Sequence, residues 1–245
     1  MRPHRPRFII IYGLLAAVLV FGLVGTIIWA GRAINPGPAW SAWKPSGGGL
    51  GAAKQIAEHI GGTYRLPSGF QLVDVIAKEP AVAAGTEQVP VHYLDFRRPG
   101  GGGDTYLQIS PSNSVTYSMC GAGQSCAIAT GKPSIARGTL VRREILELAL
   151  YTFKYVRGIN HVIAFMPPKV GSRPTVAIYL QKPSLSEQLK RPLATTLSPT
   201  TPRVSTIPAR EQRTIDHLLN PWTFDFSLAQ SQQGDAILVL QTPSA

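Results

Sequence analysis

The sequence predicts an α+β domain with a largely antiparallel sheet and two to three helices, held behind a single N-terminal transmembrane helix. Three observations carry this. Phe8 to Ala30 is a run without a charged residue. About 195 residues follow it, enough for one domain burying roughly 70% of its unfolded surface. Within them, β-type alternation and helical periodicity are mixed without strict alternation, which favours α+β over a doubly wound sheet.

The apolar run comes first. At ~1.5 Å per residue it spans about 35 Å as a helix, enough for a ~30 Å hydrocarbon core. A cleavable signal has a shorter apolar region and a small-x-small cleavage site, which Gly31-Arg32-Ala33 matches poorly. No early glutamate marks a pilin-type processing site. Arg2, Arg5 and Arg7 precede the run, whereas Arg32 and Lys44 follow it. The positive-inside rule then keeps residues 1–7 cytoplasmic and exports the bulk of the chain from a single-pass cell-membrane anchor. Gly22, Thr26 and Ala30 recur every four residues, a small-x-x-x-small ridge suited to association within the membrane. Small residues are also common in spanning helices without such a role.

Residues 31–50, centred on the Pro-, Gly- and Ser-rich NPGPAWSAWKPSGGGLG, read as a spacer. Trp40 and Trp43 within it suit either the headgroup level or packing on the domain. The exported domain, 51–245, opens with a short helix at Leu50–Ile60, stopped by Gly61-Gly62. Strands are expected at Phe70–Ala77, Val89–Phe96, Thr105–Ile109, Ser114–Met119 and Cys126–Ala129. Arg137–Arg157 is the strongest helix: Val141, Ile145, Leu148, Thr152 and Tyr155 share a face. Arg143 and Glu147 then fall on the wet side, and Gly158 can supply the left-handed C-terminal residue. Strands His161–Met166 and Thr175–Gln181 follow, then an aperiodic surface loop, Pro192–Pro208. A helix at Ala209–Leu219 and strands at Trp222–Leu228 and Ala236–Gln241 complete the domain.

Set the three tail arginines aside from the chain's +11 and the exported part carries a net charge near +8. Such a surface suits an anionic envelope polymer, lipid or another envelope protein. Export and the lack of a basic run interleaved with aromatics argue against nucleic acid. Arg97, Arg98, Arg142 and Arg143 are the anion contacts the sequence offers.

Both cysteines lie in MCGAGQSC, Cys120 and Cys126. In an oxidising compartment such a pair is expected to form a disulfide, worth roughly 2.4 kcal/mol for a ring of this size. Zinc would need C-x2-C or C-x4-C spacing and two more ligands, and none of the five histidines is paired. Gly123-Gln-Ser125-Cys-Ala127 lacks the helix a nucleophile turn needs, and Gly131-Lys132-Pro133-Ser134 lacks the first glycine of a phosphate loop. Asp74, Asp95, Asp104, His92 and His161 show no spacing signature, and all but Asp104 lie in expected strands, where polar residues mark the wet face. No catalytic residue, cofactor or metal is assigned.

The segments CGAGQSCAI, ATGKPS (129–134) and RREILELALYTFKYVRGINHVIAFMPP (142–168) resemble a group of uncharacterised bacterial single-pass membrane-anchored proteins, a likeness that implies no activity. LYTFKYVRGINHV also resembles the helix-to-strand unit of GerMN-like envelope domains of sporulation and germination, without their glycine-proline element. The expectation is a membrane-tethered binding or scaffold module of the cell envelope. The alternative is an envelope hydrolase or transferase with a site built from dispersed residues.

Overall fold

The computed structural model describes residues 14–24, 26, 39–84, 87–97, 105–120, 133–168, 173–232 and 235–243. The chain divides into two units, Met1–Ala39 and Trp40–Ala245. In the first, residues 14–24 are helical. No helix of the described residues is long and apolar enough to cross a membrane, and much of the expected span, 8–13, 25 and 27–30, lies outside them. Ala30 is among those. Within the described part of the small-residue ridge, the Thr26 hydroxyl donates back to the Gly22 and Leu23 carbonyls at 3.0 and 2.9 Å.

The second unit is α+β. Among the described residues its sheet has nine strands: β1 (Asp74–Lys78), β2 (Ala81–Ala84), β3 (Glu87–Arg97), β4 (Thr105–Gln108), β5 (Ser114–Cys120), β6 (His161–Phe165), β7 (Val176–Gln181), β8 (Thr223–Gln230) and β9 (Ala236–Gln241); the expected strand Cys126–Ala129 lies outside them. They run in the order β1-β5-β6-β7-β8-β9-β3-β2, with β4 beside β3. Six pairings are antiparallel and two, β5–β6 and β3–β9, are parallel. Among its described residues four α-helices are found, one more than expected: α1 (Gly49–Gly61), α2 (Ile135–Tyr155), α3 (Ser186–Lys190) and α4 (Ala209–Leu219). The additional one, α3, has five residues and follows a 3-10 turn over Lys182–Leu185. It is too short to leave a periodic signature in the sequence.

Helix α2 crosses over between β5 and β6, and parallel neighbours need such a connection. Ser134 caps it by accepting from the Arg137 N–H at 3.2 Å. Gly158, at φ +84°, turns the chain out of it; a Cβ there would sit 3.1 Å from the Ser112 carbonyl oxygen. The inner face of α2 packs Val141, Ile145 and Leu148 with Val115, Tyr117, Val162 and Ile178 in one core. The buried Thr152 of α2 shares a 2.7 Å hydrogen bond with the Tyr117 hydroxyl and donates to the Leu148 carbonyl at 2.7 Å.

A second core occupies the opposite face of β6 and β7, where Ile163, Phe165, Ala177 and Tyr179 meet Leu94, Phe224, Leu238 and Leu240. In a flat sheet β7 and β3 would lie roughly 14 Å apart, three strand spacings. Yet the rings of Phe96 on β3 and Tyr179 on β7 are 5.1 Å apart, and those of Phe165 and Phe226 are 4.7 Å apart. The sheet therefore curls until its β8-β9-β3 half covers the back of β6 and β7. Both strands are buried on two faces, which is why HVIAF and VAIYLQ read as continuous apolar runs rather than alternations.

Two features differ from expectation. From Trp40 on, the expected spacer belongs to the folded unit. The Pro192–Pro208 loop is pinned rather than free, with Leu197 buried and a 3-10 turn at Leu193–Thr195.

Candidate functional site

Beneath the helices lies a buried charged cluster. Arg143, on the third turn of α2, is only 1% exposed, so the wet-side placement expected from its helical register does not hold. Amphipathic logic assumes one buried face, but α2 is covered by the sheet, α1 and α4, and buries residues around most of its circumference. A guanidinium can sit there only if its donors are used. Its Nε donates to Glu211 Oε1 of α4 at 2.6 Å. One terminal nitrogen reaches both the Tyr64 hydroxyl and Glu147 Oε2, the latter at 3.0 Å, and the other donates to the Ser198 carbonyl at 2.8 Å. The Tyr64 hydroxyl in turn donates to Glu147 Oε2 at 2.6 Å, and the Ser198 N–H to Glu211 Oε1 at 3.3 Å.

Burial works against the Arg143 charge, and the oxygens of Tyr64, Glu147 and Glu211 more than offset it. Burial, then the Glu147 carboxylate, push the Tyr64 phenol well above its ordinary value. Glu144 is fully buried, and neither carboxyl oxygen has a hydrogen-bond partner among the described residues. Burial, reinforced by Glu147, holds its carboxyl well above the usual carboxylate range. A carboxyl biased toward its neutral form, one helical turn from a partly exposed carboxylate, is the composition of an acid–base pair. Its setting is different. Arg143, Tyr64 and Glu144 are each at most 1% exposed and present no face to a substrate in this conformation. What the cluster does is tie α2, α4, the segment after α1 and the pinned loop to one cation.

Above it, the chain arrives as a strap. Trp40 packs edge-on against Tyr151 and Tyr155, with ring centroids 5.4 and 5.6 Å away, and its Nε1 donates to the Gln188 carbonyl at 3.3 Å. Leu193 N–H donates to the Trp40 carbonyl at 2.8 Å, and the Ser41 and Tyr155 hydroxyls are 2.5 Å apart. Trp43 stacks on His59 at 3.9 Å. Of the two settings open to these tryptophans, packing on the domain is the one observed. Burial pushes the His59 imidazole below its ordinary value, with Glu147 opposing.

The other residues singled out from the sequence are dispersed. Arg97, 47% exposed, pairs with Asp95 Oδ2 at 3.1 Å, and Arg98 lies outside the described residues. Arg142 donates to Asn220 Oδ1 at 2.5 Å and pairs with Asp216 at 3.5 Å. Asp95 is buried, contrary to the wet-face expectation, because Val239 and Tyr106 flank it across two strand pairings. Asp74 pairs with the last residue of β5 and His161 with the first, on the order of 20 Å apart along that strand. His92 stands on β3, and Asp104 lies outside the described residues. His161 Nδ1 is instead 2.8 Å from the Tyr179 hydroxyl. Cys120 ends β5 and is buried; Cys126, Ser125, Gly131 and Lys132 lie outside the described residues. Among the described residues no group of three or more His, Cys, Asp or Glu could hold a metal ion.

Tyr64 and Glu211 carry no local signal as partners of Arg143, since they stand 79 and 68 residues from it. Three consecutive charges, Arg142-Arg143-Glu144, directly before the apolar residues Ile145 and Leu146 are the available signal. No family model, curated protein or solved structure matches this chain.

Proposed function

We propose that the chain is a single-pass, membrane-tethered protein of the bacterial cell envelope whose exported domain is a binding or scaffold module. One observation carries this reading: the charged side chains fall into two populations. Arg143, Glu147 and Glu211 are committed to an internal network, and Glu144 is buried beside it. Lys44, Lys54, Lys190, Arg191, Arg210 and Arg213 stand on the surface, where a net positive domain meets anionic wall polymer or phospholipid. Arg97 and Arg142 are already paired to Asp95 and Asp216, so they contribute less to that field than their sequence positions suggest.

The direct test is sedimentation of the folded unit, residues 40–245, with purified wall polymer and with anionic vesicles at rising salt. As the Debye length shrinks from ~10 Å at 0.1 M to ~3 Å at 1 M, binding is expected to fall steeply. Absence of binding at low salt contradicts the electrostatic form of the proposal. The alternative, an envelope hydrolase or transferase, rests on Glu144 beside Glu147, and gains support only if a conformational change opens that pair to substrate.

Export also places Cys120 and Cys126 in an oxidising compartment, where they bridge. A thiol-alkylating reagent added to denatured, unreduced protein from cells is expected to label neither. Labelling at both contradicts the bridge.

A further inference from the structure

We propose that the end of the domain where the chain arrives, around Trp40, docks on the anionic phospholipid headgroups of the membrane that anchors it. This rests on the tethered reading above and names the partner and the face. The cations there are arranged around the strap. Lys154 lies 5.6 Å over the Trp40 ring and donates to the Leu189 carbonyl at 3.0 Å. The next two residues, Lys190 and Arg191, are exposed and continue that same turn, whose Gln188 carbonyl takes the Trp40 indole N–H. Lys44 is exposed four residues along the strap. Beside these cations Glu187 pairs with Lys190 at 2.7 Å; the lysine's hydrogen bond and charge hold that carboxyl below its ordinary value. Trp40 itself is half-buried, an indole with a polar tip at a polar boundary.

Chain length makes the match specific to this membrane. Trp40 stands ten residues after Ala30, where the apolar run ends. A fully extended linker of that length reaches at most ~35 Å, and a flexible one has a typical span of roughly 17 Å. The cationic face is thus held at high effective concentration next to the headgroups, so weak individual contacts suffice. A basic side chain near an anionic surface multiplies association about fivefold.

The test uses the full chain in nanodiscs of phosphatidylcholine alone or of phosphatidylcholine with phosphatidylglycerol, read by amide hydrogen exchange. In anionic discs the amides of residues 186–191 and 193 are expected to exchange at least about fivefold more slowly than in neutral discs. High salt should remove the difference. A Lys190→Glu, Arg191→Glu chain should show none, while keeping wild-type exchange in β6 and β7 as evidence that it folds. Equal exchange in both lipid compositions, with the chain inserted, overturns the docking and leaves the anchor standing. Slowing that survives the double charge reversal overturns it too. A chain that fails to co-elute with either disc overturns the anchor, and the docking with it.

Discussion

At the scale of single residues, Arg143 holds the cluster together. Truncation to Ala strands the carboxylates of Glu147 and Glu211 and leaves a cavity in a buried site. The expected loss is about 3–5 kcal/mol, read as a lowered urea midpoint of the folded unit. Lysine should restore little, since one ammonium cannot reproduce the fork that reaches Glu211, Tyr64, Glu147 and Ser198 from three nitrogens. A loss below about 1 kcal/mol for Arg143→Ala would show the network to be marginal. Glu144 gives the complementary prediction. Its folded-state carboxyl titrates above its unfolded value, so the folded state retains a proton that the unfolded chain releases. The stabilisation is fully present below pH 4.5, the unfolded value, and is lost as pH rises toward the folded one. Relative to Glu144→Gln, the wild type should therefore lose stability as pH rises above this point, with a limiting slope of about 1.4 kcal/mol per pH unit. Parallel pH profiles for the two proteins would contradict a protonated Glu144.

At the scale of elements, the strap Trp40–Ser46 matters most. Its two tryptophans, Ser41 and Ser46 all contact the folded unit, Ser46 through Gln55 Oε1 at 2.9 Å. Trp40→Ala should cost about 2 kcal/mol, the worth of two edge-on aromatic pairs and their buried area. A chain begun at residue 51 should melt well below one begun at residue 40; equal melting temperatures would return the strap to the status of a spacer. How much of this was legible follows element by element. The helix at 209–219 and the strand at 236–241 could be read to the residue because Pro208, Asn220-Pro221 and clean periodicity bound them. The expected helix Arg137–Arg157 lies two residues late at both ends: Ser134 caps α2 before the apolar stripe begins, and Val156 already has extended backbone. Three things were not legible. Strand β2, AVAA, is too short and small-chained to show alternation. The curl of the sheet comes from contacts between strands distant in sequence. The strap reads as linker because Pro, Gly and Ser report flexibility, whereas its docking depends on Tyr151 and Tyr155 more than a hundred residues away.

At the scale of the whole molecule, the parallel β5–α2–β6 unit and the curled sheet create two cores that share β6 and β7. This leaves the helices and the arriving chain on one side, with the internal ion network locking them and the basic residues outside. In a domain built this way the buried charges serve the packing of the helices, and Lys44, Lys54, Lys190, Arg191, Arg210 and Arg213 are exposed on the outside. All of that presupposes export behind an uncleaved anchor. The measurement that tests it most directly is a pair of fusions in living cells, alkaline phosphatase placed after Ala245 and, separately, after Arg7, each followed by carbonate extraction. The account predicts an active, carbonate-resistant phosphatase at Ala245 and an inactive one at Arg7. Inactive enzyme at Ala245, or an active fusion that carbonate releases, would contradict it.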